Sequence, residues 1–210
     1  MAEFKLHCFG ESGNSYKVAL MLELSGCDWE PAFVGFLKGE TRTPEYRANL
    51  NEMGEAPVLE HNGLILTQSG VILDYLADVI GKFGPKDAHE RREILRWMFY
   101  DNHKFTSYFA TLRFLVGIAK TGDPGAIEFL KNRTIAAYKI VETHLGKEDW
   151  LVGGRPTIAD FSLAGYVYYK EETGLDVPAM FPNITAWAKR IYDLPGWKGP
   201  YDLMPTAPKG

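Results

Sequence analysis

The chain has 210 residues, of which 46% are hydrophobic, 13% aromatic and 24% charged, with a formal net charge of −4. At roughly 150 residues per domain this is one or two domains, long enough to bury a core without disulfide or metal support. The mild acidity argues against nucleic acid or an anionic membrane as partner, no apolar run approaches the ~18 residues of a membrane span, and the two cysteines, Cys8 and Cys27, make neither a disulfide framework nor a metal-ligand pattern. Met1-Ala2-Glu3-Phe4-Lys5 lacks the basic and apolar regions of a signal peptide, so a cytoplasmic location is expected.

Phe4 to Phe9 alternates, with Phe4, Leu6 and Cys8 on one face and Lys5, His7 and Phe9 on the other, which predicts a strand. Glu11-Ser12-Gly13-Asn14 is a turn, after which Val18, Met21, Leu22 and Ser25 recur at helical spacing until Gly26. Trp29 to Val34 predicts a second strand, and a loop from Gly35 to Pro44 leads to a short helical piece around Glu45 to Asn49. Pro57 to Glu60 and Leu64 to Thr67 are short strands joined by His61-Asn62-Gly63, whose Asn-Gly pair signals a hairpin. Ser69 then caps a helix carrying Val71, Ile72, Tyr75, Leu76 and Val79. The order β-α-β-α-β-β-α, with a parallel first pair and a late antiparallel hairpin, is that of a thioredoxin-like domain.

Gly81 to Asp87, with two glycines and a proline, is the best linker in the chain. Beyond it helical patterns run from Ala88 to about Ala119, from Asp123-Pro124 to Leu145, from Thr157 to about Glu172, and from Pro182 to Tyr192. The expected organisation is therefore α/β plus all-α: a thioredoxin-like domain over residues 1–80, a linker over 81–87, and an all-helical domain over 88–210.

Three places carry chemistry. Ser12-Gly-Asn-Ser15 lies between the first strand and the first helix, where backbone N–H groups and the helix dipole favour an anion. The same residues also make a plain helix cap. Thioredoxin-like domains hold a CxxC pair at this turn, and SxxS cannot exchange disulfides, but a serine hydroxyl can donate to the thiolate of a bound thiol and favour its charged form. Ala56-Pro57 precedes the third strand; in the cis form it would turn the Ala56 backbone outward to pair with an extended peptide. Gln68 and Ser69 open the third helix and could grip an α-amino acid head group, the carboxylate on Ser69 and the helix N-terminus, the ammonium on the Gln68 carbonyl. Cys8 reads as a core thiol and Cys27 has no basic neighbour in sequence to activate it.

The strings Ser12-Gly-Asn-Ser-Tyr-Lys-Val18, Gly54-Glu-Ala-Pro57-Val-Leu59 and Gln68-Ser69-Gly-Val-Ile-Leu-Asp-Tyr75 together resemble a cytosolic glutathione transferase. In the second half, Arg155-Pro-Thr157-Ile-Ala-Asp160-Phe-Ser-Leu-Ala164 is similar to that family's helix-start signature, with Thr157 as cap and Asp160 completing a capping box. The resemblance implies a serine-type enzyme of theta-, zeta- or phi-like kind in which Ser12 stabilises the thiolate of glutathione, the co-substrate, for attack on a hydrophobic electrophile. Ala56 and Pro57 would bind the cysteinyl backbone, Gln68 and Ser69 the γ-glutamyl group, and Arg42 the glycine carboxylate. Ser15 is an alternative to Ser12, and Asn14 could assist either. Tyr100 and Tyr108, in an aromatic stretch from Trp97 to Phe109, are candidates for the electrophile site, with core packing as the competing reading. The segment from Trp197 to Met204 could cover the mouth of that site. The family layout also implies a homodimer and no metal. Isomerase, dehalogenase or peroxidase chemistry on the same fold, or a non-catalytic binding or stress module, are the alternatives; the Ser-Ser-Cys turn of the zeta isomerases is not reproduced.

The ligand is an anion, yet residues 1–80 hold five Lys or Arg against twelve Asp or Glu, a net of −7, while the remainder carries 18 against 15, a net of +3. Capture must rest on local devices such as helix N-termini and Arg42, because distant charges are largely screened beyond about 8 Å at ordinary salt.

Overall fold

The computed structural model describes residues 2–207, and the side chains of all of these except residues 170 and 171. The described chain forms two compact units, residues 2–82 together with 194–207, and Phe83–Asp193. The break after Lys82 falls inside the glycine- and proline-containing stretch. Residues 194–207, grouped on sequence with the helical domain, return to the first unit.

The first unit is thioredoxin-like. Its four strands, β1 (Phe4–Cys8), β2 (Trp29–Phe33), β3 (Val58–His61) and β4 (Leu64–Thr67), lie in the order β2-β1-β3-β4. β1 runs parallel to β2 and antiparallel to β3, and β3 and β4 form the hairpin. Asn62 and Gly63 at its tip take φ of 49° and 80°, the paired left-handed conformation that makes Asn-Gly the favoured two-residue turn. Helices α1 (Gly13–Ser25), α2 (Pro44–Asn49) and α3 (Ser69–Ile80) join them in the expected order. Most of α1 is buried, including Tyr16, Lys17, Val18, Ala19, Leu20, Met21 and Leu22, so it is a central helix rather than a surface one. It packs against β1, α3 and the short C-terminal helix α10 (Pro200–Leu203). Around α2 a separate cluster of Phe9, Val34, Tyr46 and Val58 carries Phe36, Leu50 and Ala56 on its edge.

The second unit is helical: α4 (Ala88–Tyr100), α5 (Thr106–Arg113), α6 (Pro124–Leu145), α7 (Ile158–Ala164), α8 (Val177–Met180) and α9 (Pro182–Tyr192). The run predicted as one helix from Ala88 to Ala119 contains two π-helical turns, Asp101–Phe105 and Phe114–Ile118. At the first, the Thr106 N–H reaches the carbonyl of Asp101, and the Thr106 hydroxyl spans the same five residues to the buried Asp101 carboxylate at 2.5 Å. Ser162 of α7 donates to the other carboxylate oxygen at 2.7 Å, so a tertiary contact accompanies the widened turn. At the second, Gly117 lies where a Cβ would stand 2.5 Å from the carbonyl oxygen of Glu172. The helix expected to run from Thr157 to Glu172 stops at Ala164, and a 3-10 stretch, Val167–Glu172, follows.

The buried Asp160 carboxylate accepts four hydrogen bonds. The Thr157 N–H and hydroxyl donate to Oδ2 at 2.9 and 3.0 Å, and the Leu151 N–H and Trp187 Nε1 donate to Oδ1 at 3.0 and 2.9 Å. Burial pushes its carboxyl above the usual range, while these four donors pull the other way. The backward reach of Asp160 to the Thr157 N–H completes the capping box that the sequence spacing predicts, and the Thr157 side chain supplies its other half. Asp160→Ala strands four buried donors and should lower the unfolding free energy by about 3 kcal/mol or more. Urea denaturation followed by tryptophan fluorescence measures this, and an unchanged midpoint would show that water replaces the carboxylate.

Candidate functional site

The sheet register brings the sequence candidates of the first unit to one edge. His7 of β1, Val58 of β3 and Thr67 of β4 stand in a row across three neighbouring strands. The chain leaves β1 just beyond that row toward Ser12, enters β3 just before it through Ala56-Pro57, and leaves β4 just after it at Gln68. Because β2 is parallel to β1, with Phe33 opposite Cys8, the loop that carries Arg42 leaves from the same end. Adjacent strands are about 4.8 Å apart, so these segments are neighbours although up to fifty-odd residues separate them in sequence.

Ser12 is the N-cap of α1, with φ −90° and ψ 106°, and its Oγ accepts the Ser15 N–H at 3.1 Å. Its own N–H donates to the Phe9 carbonyl at 3.0 Å, which closes the turn. Capping uses Oγ as an acceptor and leaves its O–H to donate, so the cap and the anion-binding roles are compatible. Accepting a hydrogen bond also polarises the hydroxyl and strengthens it as a donor. No acidic residue occupies the first turn of α1 to compete with an anion. Ser15 is fully buried and its Oγ has no hydrogen-bond partner, closed away from solvent. Asn14 is half-buried beside them.

The Ala56-Pro57 bond is cis. The carbonyl just before it, that of Glu55, is held by the Tyr46 hydroxyl and by Asn51 Nδ2, both at 2.9 Å. Burial pushes the Tyr46 phenol up to about 12, which keeps it a neutral donor at physiological pH. Gln68, not Ser69, is the N-cap of α3; Ser69 is the first helical residue. Gln68 takes φ 66°, a left-handed conformation uncommon for a residue with a side chain. Its side chain does not cap α3 but donates Nε2 to the Glu55 carboxylate at 2.8 Å, leaving the amide oxygen as an acceptor. Glu55 is thus a site neighbour that sequence reading missed; the one signal was its place in the Gly54-Glu-Ala-Pro57 string. Arg42 is exposed at the end of a 3-10 turn, Glu40–Arg42, while Thr41 beside it is buried. Gly54, at φ 69°, brings its backbone to where a Cβ would lie 2.8 Å from the Thr41 carbonyl, tying the two loops together.

In the second unit, the Tyr100 hydroxyl donates to the Ala137 carbonyl at 3.0 Å, and burial followed by the nearby Tyr108 pushes its phenol up to about 12. Tyr100 is therefore engaged in helix packing; Tyr108 is half-buried and His103 exposed. Among the described residues no group of three or more His, Cys, Asp or Glu could hold a metal ion, and no helix is long and apolar enough to cross a membrane.

Residues 2–78 match the family model for the glutathione S-transferase N-terminal domain, and residues 105–195 that for the C-terminal domain. Glutathione S-transferase F14 of Arabidopsis thaliana is 31% identical, over 93% of this chain and 82% of its own. The chain belongs to the cytosolic glutathione S-transferase family. Its fold superposes on a crystal structure of a glutathione S-transferase from Pseudomonas fluorescens with TM-score 0.89 and 33% identity, covering 96% of this chain and all (100%) of that one. A glutathione transferase homologue from Lodderomyces elongisporus, solved with two glutathione molecules per subunit, is 27% identical with TM-score 0.84, covering 93% and 96%. Membership sharpens the cysteine question, since a dithiol enzyme of this fold would need a reactive thiol at the turn. Burial pushes the Cys8 thiol up to about 12, and Cys27 is raised as well, first by burial and then by Glu3. In native protein at pH 7.5, iodoacetamide should leave Cys8 unmodified until the chain is unfolded, as read by peptide mass spectrometry. Rapid native labelling of Cys8 would overturn its reading as a core thiol.

Proposed function

We propose that this protein is a glutathione transferase in which the Ser12 hydroxyl stabilises the thiolate of bound glutathione for attack on a hydrophobic electrophile. The observation that carries the reading is the hydrogen-bond state of Ser12: Oγ accepts from Ser15 and keeps its proton to donate, at the N-terminus of a buried helix. A hydrogen bond to the charged form of the thiol, with the positive end of the helix dipole behind it, lowers the thiol pKa and raises the fraction present as nucleophile. In the reaction the thiolate sulfur forms the new bond to the electrophilic carbon as the leaving group departs with its electron pair, or as the pair opens an activated ring or double bond.

The other contacts follow from the tripeptide's own groups. The γ-glutamyl carboxylate suits the first-turn N–H groups of α3 and the Ser69 hydroxyl, and its ammonium suits the Gln68 amide oxygen and the Glu55 carboxylate. The cysteinyl backbone suits an added-strand pairing at Ala56, before Pro57, and Arg42 suits the glycine carboxylate. The aromatic segment with Tyr100 and Tyr108 is the candidate apolar surface for the electrophile in the helical unit. We include a homodimer in this reading, supported by the exposed apolar side chains of Leu64 and Ile65 on the edge strand β4, together with Met53 and Val71.

Ser12→Ala should reduce conjugation of glutathione to an aryl halide by at least about tenfold, or about 1.4 kcal/mol of barrier. It should also move the pH midpoint of kcat/KM upward, because the thiolate loses a donor. Ser15→Ala should retain most activity, since Ser15 Oγ is sealed from solvent; an inactive Ser15→Ala beside an active Ser12→Ala would transfer the role to Ser15. Retention of the wild-type protein on immobilised glutathione tests the site as a whole. Sedimentation equilibrium should give twice the chain mass, and Ile65→Glu should shift it toward one; a wild-type monomer at micromolar concentration removes the dimer.

A further inference from the structure

The C-terminal segment is fastened to both sides of the Ser12 turn. Upstream, the Gly10 N–H donates to the Pro205 carbonyl at 2.8 Å. Downstream, the Tyr16 hydroxyl donates to the Lys198 carbonyl at 2.8 Å. Lys198 itself pairs with Glu23 of α1 at 2.7 Å, and Trp29 Nε1 donates to the same carboxylate at 3.0 Å. Between these points Pro200, Leu203 and Met204 are buried, so the segment is packed rather than draped. At Gly10 it passes so close that a Cβ would stand 2.7 Å from Thr206 Cγ2 and 3.1 Å from Tyr201 Cδ1. Gly10 has no left-handed φ, so what a side chain there would meet is the Thr206 methyl and the Tyr201 ring, both on the strap.

The bracketed stretch is short. Gly10 lies two residues before Ser12, Tyr16 four residues after it, and Ser12 is bonded to Phe9 on one side and to Ser15 and Tyr16 on the other. A turn whose two flanks are bonded to an outside segment is held from both ends. We propose that the segment 198–206 is a strap that sets the orientation of the Ser12 hydroxyl, with Gly10, Tyr16 and Pro205 as positioning residues for the thiolate-stabilising group. The assignment of that group rests on the transferase reading; the strap itself rests on the bonds to Gly10 and Tyr16. The Ser12 to Ser15 capping bond, at 3.1 Å, lies inside the bracketed stretch and reports on any shift of it.

The test is Gly10→Ala, which pushes Thr206 away while keeping the Gly10 amide in the chain, paired with the double variant Gly10→Ala/Thr206→Ala, which removes the colliding Cγ2. Two readouts are taken on full-length protein. In the absence of glutathione, hydrogen exchange at the Ser15 N–H should speed up about tenfold in Gly10→Ala and return toward the wild-type rate in the double variant. With glutathione bound, the ultraviolet thiolate band should titrate about one pH unit higher in Gly10→Ala, with the glutathione dissociation constant held within about threefold, and recover in the double variant. Wild-type exchange at Ser15 in Gly10→Ala overturns the strap, and so does a loss that Thr206→Ala fails to reverse. A wild-type protein with no thiolate band removes the transferase reading alone, because the exchange result still decides the strap. If Gly10→Ala does not fold, Tyr16→Phe, which deletes only the hydroxyl, should raise Ser15 exchange in the same direction; no change there overturns the strap.

Discussion

The first unit depends on the burial of α1. A helix covered by β1, α3 and the C-terminal segment has few apolar positions to spare for a polar face, and its run from Tyr16 to Leu22 is buried without interruption. Such a helix cannot slide or roll without opening the core, so its N-terminus is among the best-fixed points of the unit. A site placed there inherits that rigidity. The hydroxyl of Ser12 sits at the one end of α1 where backbone donors are unpaired by the helix itself, which is why a buried structural helix can also serve as an anion-binding device.

The remaining recognition groups are assembled by strand order rather than by any single motif. With β1 central between β2 and β3, the ends of β1, β2 and β4 and the start of β3 fall on one edge. Four loops then emerge side by side, each free to carry a different polar group without disturbing the core beneath. The acidic balance of the first eighty residues is tolerable for an anionic ligand because of this arrangement. Some of the acidic side chains are already bonded, as Glu60 is to Lys5 and His7 and Glu23 to Lys198. Glu55 is different: it stands in the site, where it would oppose a carboxylate but suit an ammonium.

Much of the fold, and of the local geometry around the candidate site, was legible because its parts are local. The Asn62-Gly63 hairpin, the Asp123-Pro124 helix start, the Thr157–Asp160 reach and Ser12 as a cap all depend on residues within four positions of one another, where propensity and hydrogen-bonding geometry act directly. Boundaries that failed did so where a distant partner intervened. The helix drawn from Ala88 to Ala119 widens into a π turn at Asp101, where Ser162 from α7 adds a hydroxyl. The helix drawn from Thr157 onward ends at Ala164 and gives way to a 3-10 stretch, whose Glu172 pairs with the buried Arg113 at 2.8 Å. Ser69 yields the cap position to Gln68, whose left-handed backbone no propensity rule favours and whose side chain is instead bonded to Glu55, thirteen residues away.

By its own pattern, the sequence determined the α/β-then-helical order, the turn that holds Ser12 and the absence of a cysteine there. Those features follow from periodicity, from glycine and proline, and from which side-chain atoms are present at a given spacing. Tertiary structure alone decided that residues 194–207 pack with the first unit, that Glu55 joins Gln68, that Ser15 is sealed while Ser12 caps α1, and that the C-terminal segment closes on Gly10. Each of these is a contact between segments far apart in the chain. Local composition carries no record of such a contact until the core has brought the two backbones within a few ångströms.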